Sequence, residues 1–237
     1  FIATTAMMTL NVPNAIPAAL IGNVGAVAGS VVSVRLMMFF SKKVYGTDKM
    51  VETKGAGNIP PKMRMVHSGK PSFRFIQAML QGGKSGINMG LAIIPGVVVI
   101  CTFVMMLTNG PSADGVYTGA AKEGVAFLPW LGQKINFILK PLYGFTSPEA
   151  ISVPITALGS TGAALGMIKD MAENGMIKAN DIAVFTAICM CWSGYISTHI
   201  AMMDALDTKE MTGKAILSHT IGGLFAGFVA HLLAFML

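Results

Sequence analysis

A chain of 237 residues that is 53% hydrophobic and only 12% charged, with mean hydropathy +0.64, carries about half the charge of a soluble domain. Its net charge of +6 does not point to nucleic acid, because the excess is local. Ten Lys and Arg face two Asp and Glu between Arg35 and Lys84, and seven face nine beyond Lys84. The composition predicts an all-α fold, a polytopic membrane helix bundle. Cys101, Cys189 and Cys191 lie in apolar runs with neither disulfide nor zinc spacing, so no metal site is expected.

The chain opens at Phe1 inside an apolar run, without a charged leader region or a cleavage site. The expectation is a longer polypeptide ahead of it. Residues 1–10 are apolar but short, and two prolines and two asparagines over Asn11–Pro17 mark a break. Ala18–Phe40 reads as a helix whose Gly22, Gly25, Ala26, Ala28, Gly29 and Ser30 offer a close-packing face. Residues 1–46 are the end of a first membrane half. Residues 47–72, polar and basic, read as a cytoplasmic linker by the positive-inside rule, with anionic lipid headgroups as a competing role for the same charge.

A membrane domain is expected over residues 73–237. Ser72–Leu80 reads as a short interfacial helix, with Phe73, Ile76, Ala78 and Met79 toward lipid and Arg74 toward water. Gly86–Leu107 reads as the clearest transmembrane helix, kinked at Pro95, with Asn88 two turns earlier. Residues 108–124 are placed outside. Val125–Gly144 contains Trp130, Lys134 and Lys140 and reads as interfacial or re-entrant. Asp181–Met203 and Lys214–Leu237 read as two closing helices around a charged turn, and His219 and His231 on the last are near but not aligned.

The stretch Ser147–Gly166 is apolar, yet it holds two prolines, Glu149, five hydroxyls and three glycines. Such a mixture suits a broken helix lining a polar cavity, because irregular backbone at membrane depth needs protein or water to satisfy it. An internal echo accompanies it: Gly22-x-x-Gly25-Ala26-x-x-Gly29 matches Gly159-x-x-Gly162-Ala163-x-x-Gly166, with Asn23 in the place of Ser160. An internal repeat with two broken motifs meeting near the midplane is one reading. Chance similarity of two small-residue helices is the other.

Glu149 could hold a substrate amine or a cation, but Ser147-Pro148-Glu149 also spells N-cap, N1 and N2 of a helix. Ser160 and Thr161 could offer hydroxyls to a ligand or bond back to carbonyls at a helix crossing. His199, with Ser193 six residues before it, could touch solute or relay a proton, or sit at the interface. There is no P-loop, zinc signature or nucleophile elbow, so no catalytic residue, cofactor or enzymatic activity is expected.

Ile93-Ile94-Pro95-Gly96-Val97, then Lys140-Pro141-Leu142-Tyr143-Gly144, Ser147-Pro148-Glu149-Ala150-Ile151 and Ala157-Leu158-Gly159-Ser160-Thr161-Gly162-Ala163 resemble, in that order, the Gate or "nucleoside recognition" domain of bacterial inner-membrane proteins. The likeness covers about residues 73–237 and is greatest to the small YjiG type, and residues 1–46 look like the end of the companion YjiH type. The resemblance implies a multi-pass inner-membrane protein, a transporter or the gating half of one. Its substrate would be a small polar solute such as a nucleoside, amino acid or dipeptide. Na+ or H+ are the coupling ions to consider, and a homo-oligomer or a partner membrane subunit is expected. The matching positions are Pro95, Pro148, Glu149, Ser160 and Thr161. With Asn88, Asn23, Ser193 and His199 they make up the expected solute contacts. A non-transporting membrane scaffold is the alternative.

Overall fold

The computed structural model describes residues 2–46, 69–108, 110–111, 114–120, 123–159, 161–192, 195–206 and 208–237. Most of the expected linker, together with Ser160 and Ser193, lies outside them. Among the described residues the chain is all-helical: α1 (Ile2–Met8), α2 (Ala15–Tyr45), α3 (Pro71–Thr108), α4 (Phe127–Tyr143), α5 (Ser152–Gly159), α6 (Thr161–Glu173), α7 (Ala179–Cys191), α8 (Tyr195–Ala205) and α9 (Thr212–Ala234). Short 3-10 turns at Pro148–Ile151 and Lys209–Met211 lead into α5 and α9.

The core is built from α2, α7 and α9. Ala15, Ala18, Ala19, Gly22, Gly25, Ala26 and Gly29 recur every three or four residues, so they form one face of α2, and that face is buried. The facing stripe on α9 is Gly222, Gly223, Ala226, Gly227 and Ala230. Between them the helices come together backbone to backbone. A Cβ on Gly29 would lie 2.3 Å from the Gly222 carbonyl oxygen, one on Gly25 2.6 Å from that of Ala226, and one on Gly22 2.6 Å from that of Ala183. Helix α7 fills the remaining side, and every residue from Asp181 to Cys189 is buried.

Among the described residues, two helices are long and apolar enough to cross a bilayer by length and composition: α2, and α9 with its leading turn. At 1.5 Å per residue α2 extends about 46 Å and α9 about 35 Å, against roughly 30 Å of hydrocarbon. Their outward faces are apolar as well, with Leu20, Val24, Val27, Val31 and Val34 exposed on α2, and Leu217, Ile221, Leu224 and Phe225 on α9. Lipid solvates such faces and water does not.

Several expectations change. Helix α2 starts at Ala15, which puts Pro17 in its first turn, where the missing N–H costs nothing. Ahead of it Asn14 takes the left-handed conformation that asparagine tolerates (φ 60°). The two helices expected at 72–80 and 86–107 are one continuous helix, α3, passing straight through Gly82 and Gly83, where nothing presses on the backbone. Conversely, the single helix expected over Asp181–Met203 is two, α7 and α8. Trp192 leaves helical geometry (φ −103°, ψ 21°), and its indole is held elsewhere. Helix α4 spans 17 residues with Trp130, Lys134 and Lys140 exposed, and Lys134 lies 6.0 Å from the Trp130 ring.

The glycine spacing predicts that Gly29→Ala costs upward of about 1–3 kcal/mol, the usual penalty for overpacking, because its methyl would meet a backbone oxygen. Gly166→Ala, with nothing within 4 Å, should be neutral or gain up to about 1 kcal/mol of helix propensity. Thermal unfolding in one detergent ranks the two. A second expectation concerns the loop before α4, where the Glu123 carboxylate accepts hydrogen bonds from the Thr118 hydroxyl (2.7 Å), the Thr118 amide (3.0 Å) and the Gly119 amide (2.8 Å). The Thr118 bonds hold the carboxyl below its usual range. A depressed folded-state pKa means the contribution is complete above the ordinary carboxyl range, near pH 4.3, and is lost as pH falls through the lower folded value. The Thr118 and Gly119 amide resonances should therefore titrate with a midpoint below about 4.3, and Glu123→Gln should abolish that step.

Candidate functional site at the joint between α7 and α8

Helix α7 ends at Cys191, and its last carbonyls have no partner within the helix. Four other elements come to this end. From α6, the Thr161 hydroxyl donates to the Cys189 carbonyl (3.2 Å). From α1, Thr4 reaches both Asn23 Oδ1 on α2 (2.8 Å) and the Met190 sulfur (3.5 Å). The Cys191 thiol points to the Ala26 carbonyl (3.9 Å). Trp192 Nε1 donates to the His219 carbonyl on α9 (3.2 Å), and its ring lies where a Cβ on Gly223 would be, 2.0 Å from Nε1.

Across the joint, α8 lies along α9 and carries a polar, aromatic cluster. His199 is buried at 8% exposure, and its Nε2 lies 2.9 Å from His219 Nδ1. His199 Nδ1 lies 2.5 Å from the Tyr195 carbonyl. That carbonyl can only accept, so Nδ1 carries the hydrogen. In a neutral His199 the bare Nε2 then accepts from His219 Nδ1–H, and the His219 ring also meets the Cys191 backbone at the end of α7. One proton can be added to the pair without breaking the contact between the two rings. A second would put two donors face to face. The Tyr195 hydroxyl donates to the Ile216 carbonyl (2.6 Å) and is bonded to Thr220, and its ring packs edge-on against both imidazoles.

A second polar junction ties the other end of α7 to the segment after α4. Asp181 is fully buried. It accepts from the Thr146 amide (2.9 Å), the Thr146 hydroxyl (2.5 Å) and the Lys178 amide (2.9 Å), which caps α7. Asn180 donates to the Tyr143 and Gly144 carbonyls and meets His231 Nδ1 at 2.7 Å. Gly144 has φ 63°, and a Cβ there would run into the His231 ring. Every polar group named in this junction is turned inward on another, so it fastens the chain and offers little to a ligand.

The structure therefore brings together Asn23, Thr161 and His199 around the α7–α8 joint, directly or through one neighbour. Ser160 and Ser193 adjoin this group in sequence but lie outside the described residues. Pro148 and Glu149 are elsewhere, on the 3-10 turn against α4, where Gly132 lets the Pro148 carbonyl approach. Ser147 holds the extended backbone of an N-cap with Pro148 at N1, as the sequence spelled. Its hydroxyl makes no cap bond and is buried without a partner among the described residues. Two of the other hydroxyls of this stretch bond back to carbonyls: Ser152 to that of Glu149 and Thr156 to that of Ser152. Asn88 and Pro95 are on α3, exposed and away from the joint's hydrogen bonds.

The two glycine motifs occupy different settings. The first lies inside one continuous helix, with its Gly22, Gly25, Ala26 and Gly29 buried. The second spans the junction of α5 and α6, with Gly162 and Gly166 exposed. Sequence reasoning missed Tyr195, Trp192, Thr220 and the role of His219. The available signal was symmetry about a turn, since positions 199 and 219 are equidistant from Lys209 in a helical hairpin. Among the described residues no group of three or more His, Cys, Asp or Glu side chains could hold a metal ion. Comparison with protein-family models, curated proteins and solved structures gives no match.

Proposed function

We propose that the chain is a multi-pass protein of a bacterial inner membrane that transports, or gates the transport of, a small polar solute such as a nucleoside, amino acid or dipeptide. The observation that carries this reading is the His199–His219 pair. His219 lies four residues from the middle of α9, about 6 Å along the axis, and ionisable side chains at that depth in a membrane are functional candidates by default. The pair lies next to the end of α7, to which the Thr161 hydroxyl of α6 also comes, and the ends of interrupted helices hold solutes and coupling ions in secondary transporters. The likeness of residues 73–237 to Gate-type domains supports the same reading. In the mechanism, solute is held by Thr161 at the start of α6, and the imidazole pair takes up and releases the coupling proton as α8 shifts along α9.

A scaffold that assembles with another membrane subunit is the second reading. It is favoured by the open face at Gly162 and Gly166, which leaves room for a foreign helix.

A thermal-shift screen with nucleosides, amino acids and dipeptides should find one class that raises the melting temperature. Stabilisation is roughly 2.7 kcal/mol at a hundredfold excess over Kd. With that solute, His219→Gln should abolish pH-driven accumulation in proteoliposomes while leaving solute exchange intact. Glu149→Gln, remote from the joint, should retain both. No shift with any class contradicts the transport reading and favours the scaffold.

A further inference from the structure

Helix α3 is longer than a membrane requires. Its 38 residues extend about 57 Å, whereas the stretch from Ser85 onward, free of charged side chains, would on its own be long enough for roughly 30 Å of hydrocarbon. The first fourteen residues, 71–84, are surplus to the span. They are not idle sequence. Lys70, Arg74, Gln77, Gln81, Lys84 and Asn88 follow one another at alternating steps of four and three, which at 100° per residue confines them to an arc of about 80°. The remaining circumference carries Phe73, Phe75, Ile76, Met79, Leu80 and Ile87, each more than half exposed. No Asp or Glu occurs anywhere between Glu52 and Asp114, so the polar stripe is purely cationic.

From this pattern we infer that the first four turns of α3 are a docking surface for anionic phospholipid. They lie along the cytoplasmic leaflet, with the apolar arc at the acyl boundary and Lys70, Arg74 and Lys84 on lipid phosphates. The width of the two faces selects this occupant over a second helix. A helix pair buries a narrow apolar seam and leaves a broad polar face to water. Here the polar face is the narrow one, and pairing would leave most of the aromatic and aliphatic arc in water. A broad apolar face with a thin basic stripe is what an interfacial helix presents, and positive charge without acids matches an anionic leaflet. Helix α3 runs on without a break through this region, so lying along the leaflet requires a bend before the span, and Gly82, Gly83 and Gly86, with nothing within 4 Å, are the weakest helical backbone at which it would form. The inference rests on the membrane residence proposed above and not on transport.

The test uses the full chain in nanodiscs of phosphatidylcholine with or without phosphatidylglycerol, with single spin labels at Phe75→Cys, Met79→Cys, Gln77→Cys and Gln81→Cys in a background lacking the three native cysteines. Co-flotation with vesicles after a carbonate wash checks membrane residence separately. With phosphatidylglycerol present, labels at 75 and 79 should collide with oxygen and those at 77 and 81 with an aqueous nickel chelate. Replacing Lys70, Arg74 and Lys84 together by Gln should erase that contrast. Four nickel-accessible labels would mean a helix standing in water. Four labels shielded from both reagents would mean a second copy or another protein on this face. A contrast indifferent to phosphatidylglycerol would mean no headgroup recognition. Any of these overturns the proposal.

Discussion

The approach of α2 to α9 is the constraint on which the remaining structure depends. At Gly29 and Gly222 the two backbones meet, with the Ser33 side chain seated on Gly222, and the buried positions from there toward the start of α2 are glycine or alanine. Dispersion forces grow with the number of atoms in contact, and in lipid they, not water exclusion, drive helix association. A close crossing gathers many such contacts. It also fixes the axial register of both helices, so the positions of His219 and Asn23 relative to α7 are set by glycines that touch neither.

That register decides where polar groups can be placed. Helix α7 is buried along most of its length, so its two ends are where unmade backbone bonds must be answered. At its start Asp181 caps the Lys178 amide and, with Asn180, bonds the backbone of the segment 143–146. At its end the Thr161 hydroxyl from α6 answers the Cys189 carbonyl, while α1 and α9 add side-chain contacts at Met190 and Trp192. The first arrangement makes a rigid fastening. The second draws on elements that are independent of one another, and the imidazole pair lies beside it. This contrast between a closed and an open set of hydrogen bonds is the physical ground for placing function at the α7–α8 joint.

Much of the fold was legible because it rests on local chemistry. The break before α2, the packing face of that helix, the extent of α4 and the N-cap at Ser147 each follow from residues within a turn or two of the feature. What the sequence hid is tertiary. Thr146 and Asp181 are 35 residues apart, and His199 and His219 are 20 apart on helices expected to be differently divided. Apolar patterning ran unbroken through Trp192, so the end of α7 had no signal until the indole was seen anchored on α9. Gly82 and Gly83 misled in the opposite direction, since glycine weakens a helix without forbidding it. Of the expected solute contacts, Asn23 and Thr161 reach the end of α7, the former through Thr4, and His199 lies on α8 beyond it, against His219. Glu149 does neither, because its position is explained by the helix start it occupies.

The measurement that bears most directly on this account is the nitrogen-15 spectrum of His199 and His219 in the full-length protein, assigned through His199→Gln and His219→Gln. The account predicts a scalar coupling across the contact between His199 Nε2 and His219 Nδ1, a single tautomer of His199 protonated on Nδ1, and loss of both features when His219 is replaced. Two histidines that exchange freely between tautomers, with no coupling and no response of one to replacement of the other, would contradict it.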